Sequence, residues 1–238
     1  MRFGYSTDEI YDLFKIYAKK IKYVDTINIF KLIFGLIIKR KIIIDGFNSG
    51  EIIEKLINEK CYKKNINNIN QIKMPLIIPA VDIYSGNIYY FISQNKRYQI
   101  SNKKIYINDI NIGKAVRASC SYPIIFSPCD YNDKQLVDGG IRENIPWKET
   151  KNMGADKVLS VVFEKNIKEK KCENIIDIFS NSLSILNDEL ADYEINGTDY
   201  LINIKTKKIG LLDMEKIDEL YNIGYTEAKK QIKKLNII

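Results

Sequence analysis

No histidine occurs anywhere in the 238 residues. That absence excludes a Ser-His-Asp or Cys-His mechanism, an H-E-x-x-H metal site and a kinase H-R-D loop, each of which needs an imidazole. A general base in this chain is therefore a carboxylate, or less readily a lysine, tyrosine or cysteine. Cysteine is scarce as well. Cys61, Cys120, Cys129 and Cys172 form no C-x-x-C pair and have no histidine partner, so they read as reduced cytosolic thiols, and neither a metal nor a cofactor is called for. Arginine supplies only five of the 37 basic residues (Arg2, Arg40, Arg97, Arg117, Arg142). The net charge of +7 and a pI near 9.0 would ordinarily raise nucleic acid as a partner, but phosphate and base recognition favour arginine's fork. Here the lysines are dispersed among isoleucine and asparagine, so nucleic acid is not expected. No signal peptide is visible at the N-terminus. The most apolar run, Ile27 to Ile38, is broken by Asn28 and Lys31 and falls short of the ~20 residues of a spanning helix. A cytoplasmic protein is the expectation. Internal repeats and low-complexity linkers are absent, and 45% hydrophobic content suits a single core.

What is present is an alternation of helical and extended patterns. Ile10, Leu13, Phe14, Tyr17 and Ile21 mark an amphipathic helix over Tyr5 to Tyr23, with Ser6 and Glu9 at capping-box spacing. A second helix is expected over Ile27 to Ile38, and Asn48 with Glu51 repeats the cap pattern before Ile52, Ile53, Leu56 and Ile57. MPLIIPAVDIYSGNIYYFI reads as a hairpin turning at Ser85-Gly86-Asn87. A helix over Ile112 to Ser119 leads into SYPIIFSPCD, where Pro123 and Pro128 predict an ordered loop, and then into the strand KQLVDGG. A helix follows at about Trp147 to Met153, stopped by Gly154. Lys157 to Phe163 is an unalternating apolar run of the kind buried on both faces of a parallel sheet. A helix near Ile175 to Tyr193, a strand at Tyr200 to Ile204 and a helix over Lys216 to Lys234 complete an α/β layer pattern with a largely parallel sheet.

The chemically informative block is AVRASCSYPIIFSP, Ala115 to Pro128, followed by Asp138-Gly139-Gly140. Asp138 falls at the C-terminal end of a strand, where α/β sheets gather their active sites, and two glycines allow the backbone to turn sharply with positive φ and to approach another segment closely. A carboxylate held there can act as a base toward a nucleophile within hydrogen-bond reach. Asp-Gly is also a common turn dipeptide, so a plain turn accounts for D-G-G taken alone. The succession R-A-S-C-S-Y-P, I-I-F-S-P, strand-D-G-G and N-I-P resembles the second half of the patatin-like phospholipase family, as do the hairpin IPAVDIYSGNIYYF and the strand KVLSVVF. The resemblance implies a three-layer α/β fold and a lipid or phospholipid ester substrate. It further implies a Ser-Asp dyad whose aspartate is Asp138, the general base and proton acceptor, within the motif Asp138, Gly139 and Gly140. It covers residues 1–170 and weakens beyond, where 171–238 read as helices and a strand packing on the same domain.

Two parts of that family pattern are missing. The 238 residues contain neither a glycine-rich loop to donate oxyanion N–H groups nor G-x-S-x-G to present a serine. Gly4-Tyr5-Ser6-Thr7-Asp8 fails at its last position, Ser6 reads as a cap, and Ser49 lacks the preceding glycine. The expectation is therefore an N-terminally truncated hydrolase without its first strand-helix-strand unit and without a nucleophile, inactive by itself. A non-catalytic lipid-binding or regulatory relative, and an unrelated α/β protein with an incidental turn, stay open. INIFKLIFGLII followed by KRK reads either as a buried helix with a solvated basic end or as an interfacial helix in peripheral contact with a membrane surface.

Overall fold

Ser6 and Glu9 close a reciprocal capping box, with Ser6 Oγ accepting from the Glu9 N–H at 3.2 Å and Glu9 Oε2 from the Ser6 N–H at 2.7 Å. They start α1 (Thr7–Lys20) in a computed structural model that describes residues 5–20, 24–94, 103–164, 171–206, 209 and 213–235. Ile21 and Tyr23, expected on the same helix, lie outside the described residues. The elements then run α2 (Thr26–Phe34) with a π-turn (Gly35–Lys39), β1 (Gly46–Asn48), α3 (Glu51–Tyr62), β2 (Ile77–Asp82), β3 (Ile88–Ile92), β4 (Lys104–Ile107), α4 (Ile112–Ser119), β5 (Ile124–Phe126), β6 (Cys129–Tyr131) and β7 (Lys134–Asp138). After these come α5 (Trp147–Asn152), β8 (Leu159–Glu164), α6 (Ile175–Ile195), β9 (Tyr200–Lys205) and α7 (Ile217–Leu235). The chain divides into two compact units, Met1–Arg142 and Glu143–Ile238.

The first unit is built on a five-stranded sheet in the order β4-β3-β2-β7-β6, beside a two-stranded sheet of β1 and β5. The α/β character expected from sequence is present, and parallel pairing joins β1 to β5, β3 to β4 and, in the second unit, β8 to β9. The five-stranded sheet is mixed, because β2–β3, β2–β7 and β6–β7 pair antiparallel. Short connections impose this for β2–β3 and β6–β7. Asn132 and Asp133, both at positive φ (43° and 59°), make the tight turn between β6 and β7, and a two-residue turn of that kind matches the twist of antiparallel strands.

Helix α4 covers one face of this sheet. Asn111 caps it by accepting from the Lys114 N–H at 3.1 Å, and its buried Ile112, Ala115 and Ala118 join a core with Ala80, Tyr89, Phe91, Cys129 and Leu136. Gly113 brings α4 against α3: a Cβ there would stand 2.4 Å from the Glu54 carbonyl oxygen. Val81, Ile88, Tyr90, Ile92 and Val137 form a second cluster, and all five residues of β3 are buried. Each such side chain contributes about 1.5–3 kcal/mol through burial, which holds β2 and β7 as the rigid centre of the unit. The cap expected from Asn48 is not made. Gly50, at φ +72°, takes the N-cap position of α3, and buried Asn48 instead accepts from the Gly50 N–H at 2.7 Å.

SYPIIFSPCD is more ordered than a loop, since it contributes β5 and β6. Within β5, Ile124 has φ +73°, a region that favours glycine and strains a β-branched side chain. Ile124→Gly is therefore expected to leave unfolding stability within about 1 kcal/mol of the wild type, because relieved strain offsets the added chain freedom. Ile125→Gly, at an ordinary φ, should cost about 2 kcal/mol or more. Urea titrations of the two variants check the contrast.

In the second unit, α6 connects the parallel strands β8 and β9, and α7 is tied to β9 by Gln231, which donates to the Asn203 carbonyl at 2.7 Å and accepts from its N–H at 3.0 Å. Glu194 accepts the Asn144 and Ile145 N–H groups at 3.0 and 2.8 Å. β8 is not buried on both faces as its unbroken apolar run predicts. Leu159, Val161 and Phe163 are exposed at 43%, 55% and 67%, whereas Ser160 between them and the preceding Val158 are buried. An apolar run states a preference for burial without providing a partner for each face.

Candidate active site

Asp138, Gly139 and Gly140 lie together where β7 ends, as the sequence indicates. Leu136 and Val137, on opposite faces of the strand, are buried in the two core clusters and fix its position. Asp138 is the last residue of the ladder with β2, opposite Ala80. Its N–H donates to the Ser121 carbonyl at 3.0 Å, which ties the strand end to the segment leaving α4. That segment is anchored in turn by Arg117, whose guanidinium donates to the Ser49 carbonyl at 2.8 and 3.2 Å and faces Glu54 at 3.7 Å.

The positive φ expected of the two glycines is not found, and Gly139 serves by close approach instead. Neither adopts a positive φ. Gly139 is buried against β2, where a Cβ would stand 2.6 Å from the Pro79 carbonyl oxygen and 2.8 Å from Pro79 Cγ. Gly140 donates its N–H to Asp138 Oδ1 at 2.8 Å, so the carboxylate caps the 3-10 turn Gly139–Ile141. Arg142 extends the turn, with its N–H on the Gly139 carbonyl and its guanidinium on the Gly86 carbonyl.

Two carboxylates of this sheet are tuned in opposite directions. Burial pushes the Asp138 carboxyl above its ordinary range, and the Gly140 N–H only partly offsets it. Burial acts on Asp82 too, but the Ser85 hydroxyl at 2.5 Å and the Tyr84 and Ser85 N–H groups outweigh it and hold Asp82 low. Asp82 is thus a satisfied structural anion capping the hairpin turn. Asp138 is a carboxylate made more basic by burial, a property that suits a proton acceptor.

Three neighbours in the block were not singled out by sequence. Cys120 is exposed as a residue, yet its thiol is pushed up to about 11, first by desolvation and then by the Asp138 charge, so it stays protonated and weakly nucleophilic. Tyr122 is raised by burial and, second, by Asp138, which keeps its phenol a donor. Ser121 is buried and donates its hydroxyl to the Arg117 carbonyl at 2.9 Å. Their position within R-A-S-C-S-Y-P was the one signal available. The two serines weighed as nucleophiles have other work: Ser6 caps α1, and Ser49 accepts from Arg117 and from the Glu51 N–H.

The geometry thus presents a strand-end carboxylate, partly buried and raised in pKa, on a rigid pair of strands. A family model described as patatin-like phospholipase matches residues 4–151, more than half of the sequence and the whole of the segment from α1 through β7 and Gly140. The chain belongs to the patatin-like phospholipase family.

Proposed function

We propose that this chain carries the base half of a Ser-Asp lipid acyl hydrolase, with Asp138 as proton acceptor, and that a segment outside these 238 residues brings the serine and the oxyanion donors. Family membership implies a lipid substrate. The observation that supports the dyad reading best is the contrast between Asp138, raised and, among the described residues, accepting one hydrogen bond, and Asp82, lowered and accepting several. In the completed site the Asp138 carboxylate takes the serine hydroxyl proton as the oxygen bonds to the ester carbonyl carbon. The carbonyl oxygen becomes the oxyanion, and its collapse expels the alcohol, which leaves with the proton held by Asp138. Water then repeats the sequence on the acyl-serine, releasing the fatty acid and restoring both groups. The four free cysteines support a reducing, cytoplasmic setting.

The test is complementation. The chain alone should not turn over a short-chain nitrophenyl ester, and the same chain carrying an N-terminal strand-helix unit with G-x-S-x-G and a glycine-rich loop should do so. Turnover by the unextended chain that survives Asp138→Asn would overturn the assignment. A second reading, a lipid-binding relative without catalysis, draws on the outward apolar face of α2; complementation that yields a folded but inactive protein would favour it.

A further inference from the structure

Helix α2 is inverted relative to a helix of a water-soluble protein. Its inward stripe is Asp25, Asn28, Leu32 and Gly35, which follow at three- and four-residue steps on one side of the cylinder; two of the four are polar, one is glycine, and half-buried Leu32 is its one large apolar side chain. Asp25 accepts from Asn48 Nδ2 at 3.1 Å and the Ser49 N–H at 3.2 Å, Asn28 donates to the Gly46 carbonyl at 3.0 Å, and Gly35 is buried with Lys41 and Ile43 against it. The stripe offset by two residues, and so on the opposite side, is Ile27, Phe30, Phe34 and Ile37, exposed at 68%, 68%, 48% and 74%. Ile29, Ile33, Leu36, Ile38 and Ile42 enlarge the same exposed apolar surface. Polar anchoring toward the protein and an aliphatic and aromatic face toward solvent is the pattern of a surface that works against something apolar.

Charge identifies the occupant. From Thr26 to Ile44 there is no acidic residue, while Lys31, Lys39, Arg40 and Lys41 are all exposed. The flanking acids are engaged, Asp25 as above and Asp45 by the Ser127 hydroxyl at 2.7 Å. Nine residues of α2 and five of the π-turn give a rod of about 20 Å, short of the ~30 Å hydrocarbon core. Among the described residues no helix is long and apolar enough to cross a membrane. A short, apolar, purely basic helix fits the interface of an anionic bilayer, where the aromatic and aliphatic face enters the acyl boundary and the cations stay among the headgroups. We propose that α2 and its π-turn dock the protein on anionic lipid, a role that rests on the reading of a lipid substrate and specifies how the protein reaches it.

Flotation with vesicles of phosphatidylcholine containing about a third phosphatidylglycerol tests this, because aggregates sink while bound protein rises. The chain should float with anionic vesicles, less at high salt, and only weakly with pure phosphatidylcholine. Phe30→Glu/Ile37→Glu should weaken binding about ten-fold or more, and Lys39→Gln/Arg40→Gln/Lys41→Gln several-fold on anionic vesicles only, both with unchanged circular dichroism. Wild-type protein that stays at the bottom, or that forms dimers dissolved by Ile37→Glu and never floats, overturns the proposal. A completed site that fails to hydrolyse a soluble ester while the chain still floats refutes the dyad and upholds the docking helix. Hydrolysis of the soluble ester without flotation does the reverse.

Discussion

Asp138→Asn in the completed site is expected to lower ester hydrolysis on the order of 10⁴-fold, while the folded protein becomes more stable. The loss follows from chemistry: asparagine keeps the oxygen that accepts the Gly140 N–H but can no longer take a proton. The gain follows from linkage. The folded-state pKa of Asp138 is raised above its unfolded value, so the native chain binds this proton more tightly than the unfolded chain. Stability from this group is fullest below the unfolded pKa and declines as pH rises to the folded pKa; above it, the cost of the buried charge is fully present. Asparagine removes that cost, and at neutral pH the melting temperature should rise by roughly 2–4 °C. The acid limb of kcat/KM should stand above the ordinary carboxylate range for the same reason, since the base works only when ionised. Rate and melting measurements on one pair of proteins check both signs. A variant that loses stability along with activity would identify Asp138 as a structural turn residue.

Gly139→Ala should be the most damaging single methyl group near the site. The added Cβ would meet the Pro79 carbonyl oxygen and carbon at 2.6 and 2.9 Å, both backbone atoms, and β2 is paired on both sides and has no room to retreat. Overpacking of that kind costs about 2–3 kcal/mol, or roughly 5–10 °C in melting temperature, and displaces Asp138 from its register with Ala80. Gly224→Ala is the control. Nothing lies within 4 Å of its Cβ position on α7, so the higher helix propensity of alanine should stabilise by about 1 kcal/mol. Calorimetry on the two variants should give shifts of opposite sign.

Long periodic segments were legible from sequence. α4 matches its expected bounds because Asn111 caps one end and Pro123 follows the other, while α6, β9 and α7 are long enough for their periods to register. β1, β5 and β6 were not legible, since three residues cannot display an alternation. The position of Asp138 at a strand end was readable, but its tuning was not: that depends on Ser85 serving Asp82 while, among the described residues, Gly140 serves Asp138. A close approach at Gly139 was expected from sequence, but its partner, Pro79, was not legible because it is distant along the chain. The apolar run of α2 matched a buried and an interfacial helix equally well, since composition records what a surface avoids and not what it meets.

β8 carries a consequence for handling. Its outward Leu159, Val161 and Phe163, with exposed Ile175, Ile178 and Ile185 on α6, give the second unit adhesive surface, and at low ionic strength only the net charge of +7 holds two molecules apart. Raising salt shortens the reach of that repulsion to about 8 Å near physiological strength and strengthens apolar attraction, so colloidal stability falls as buffer concentration increases. Dilute, low-salt solution is therefore the condition in which the chain stays dispersed.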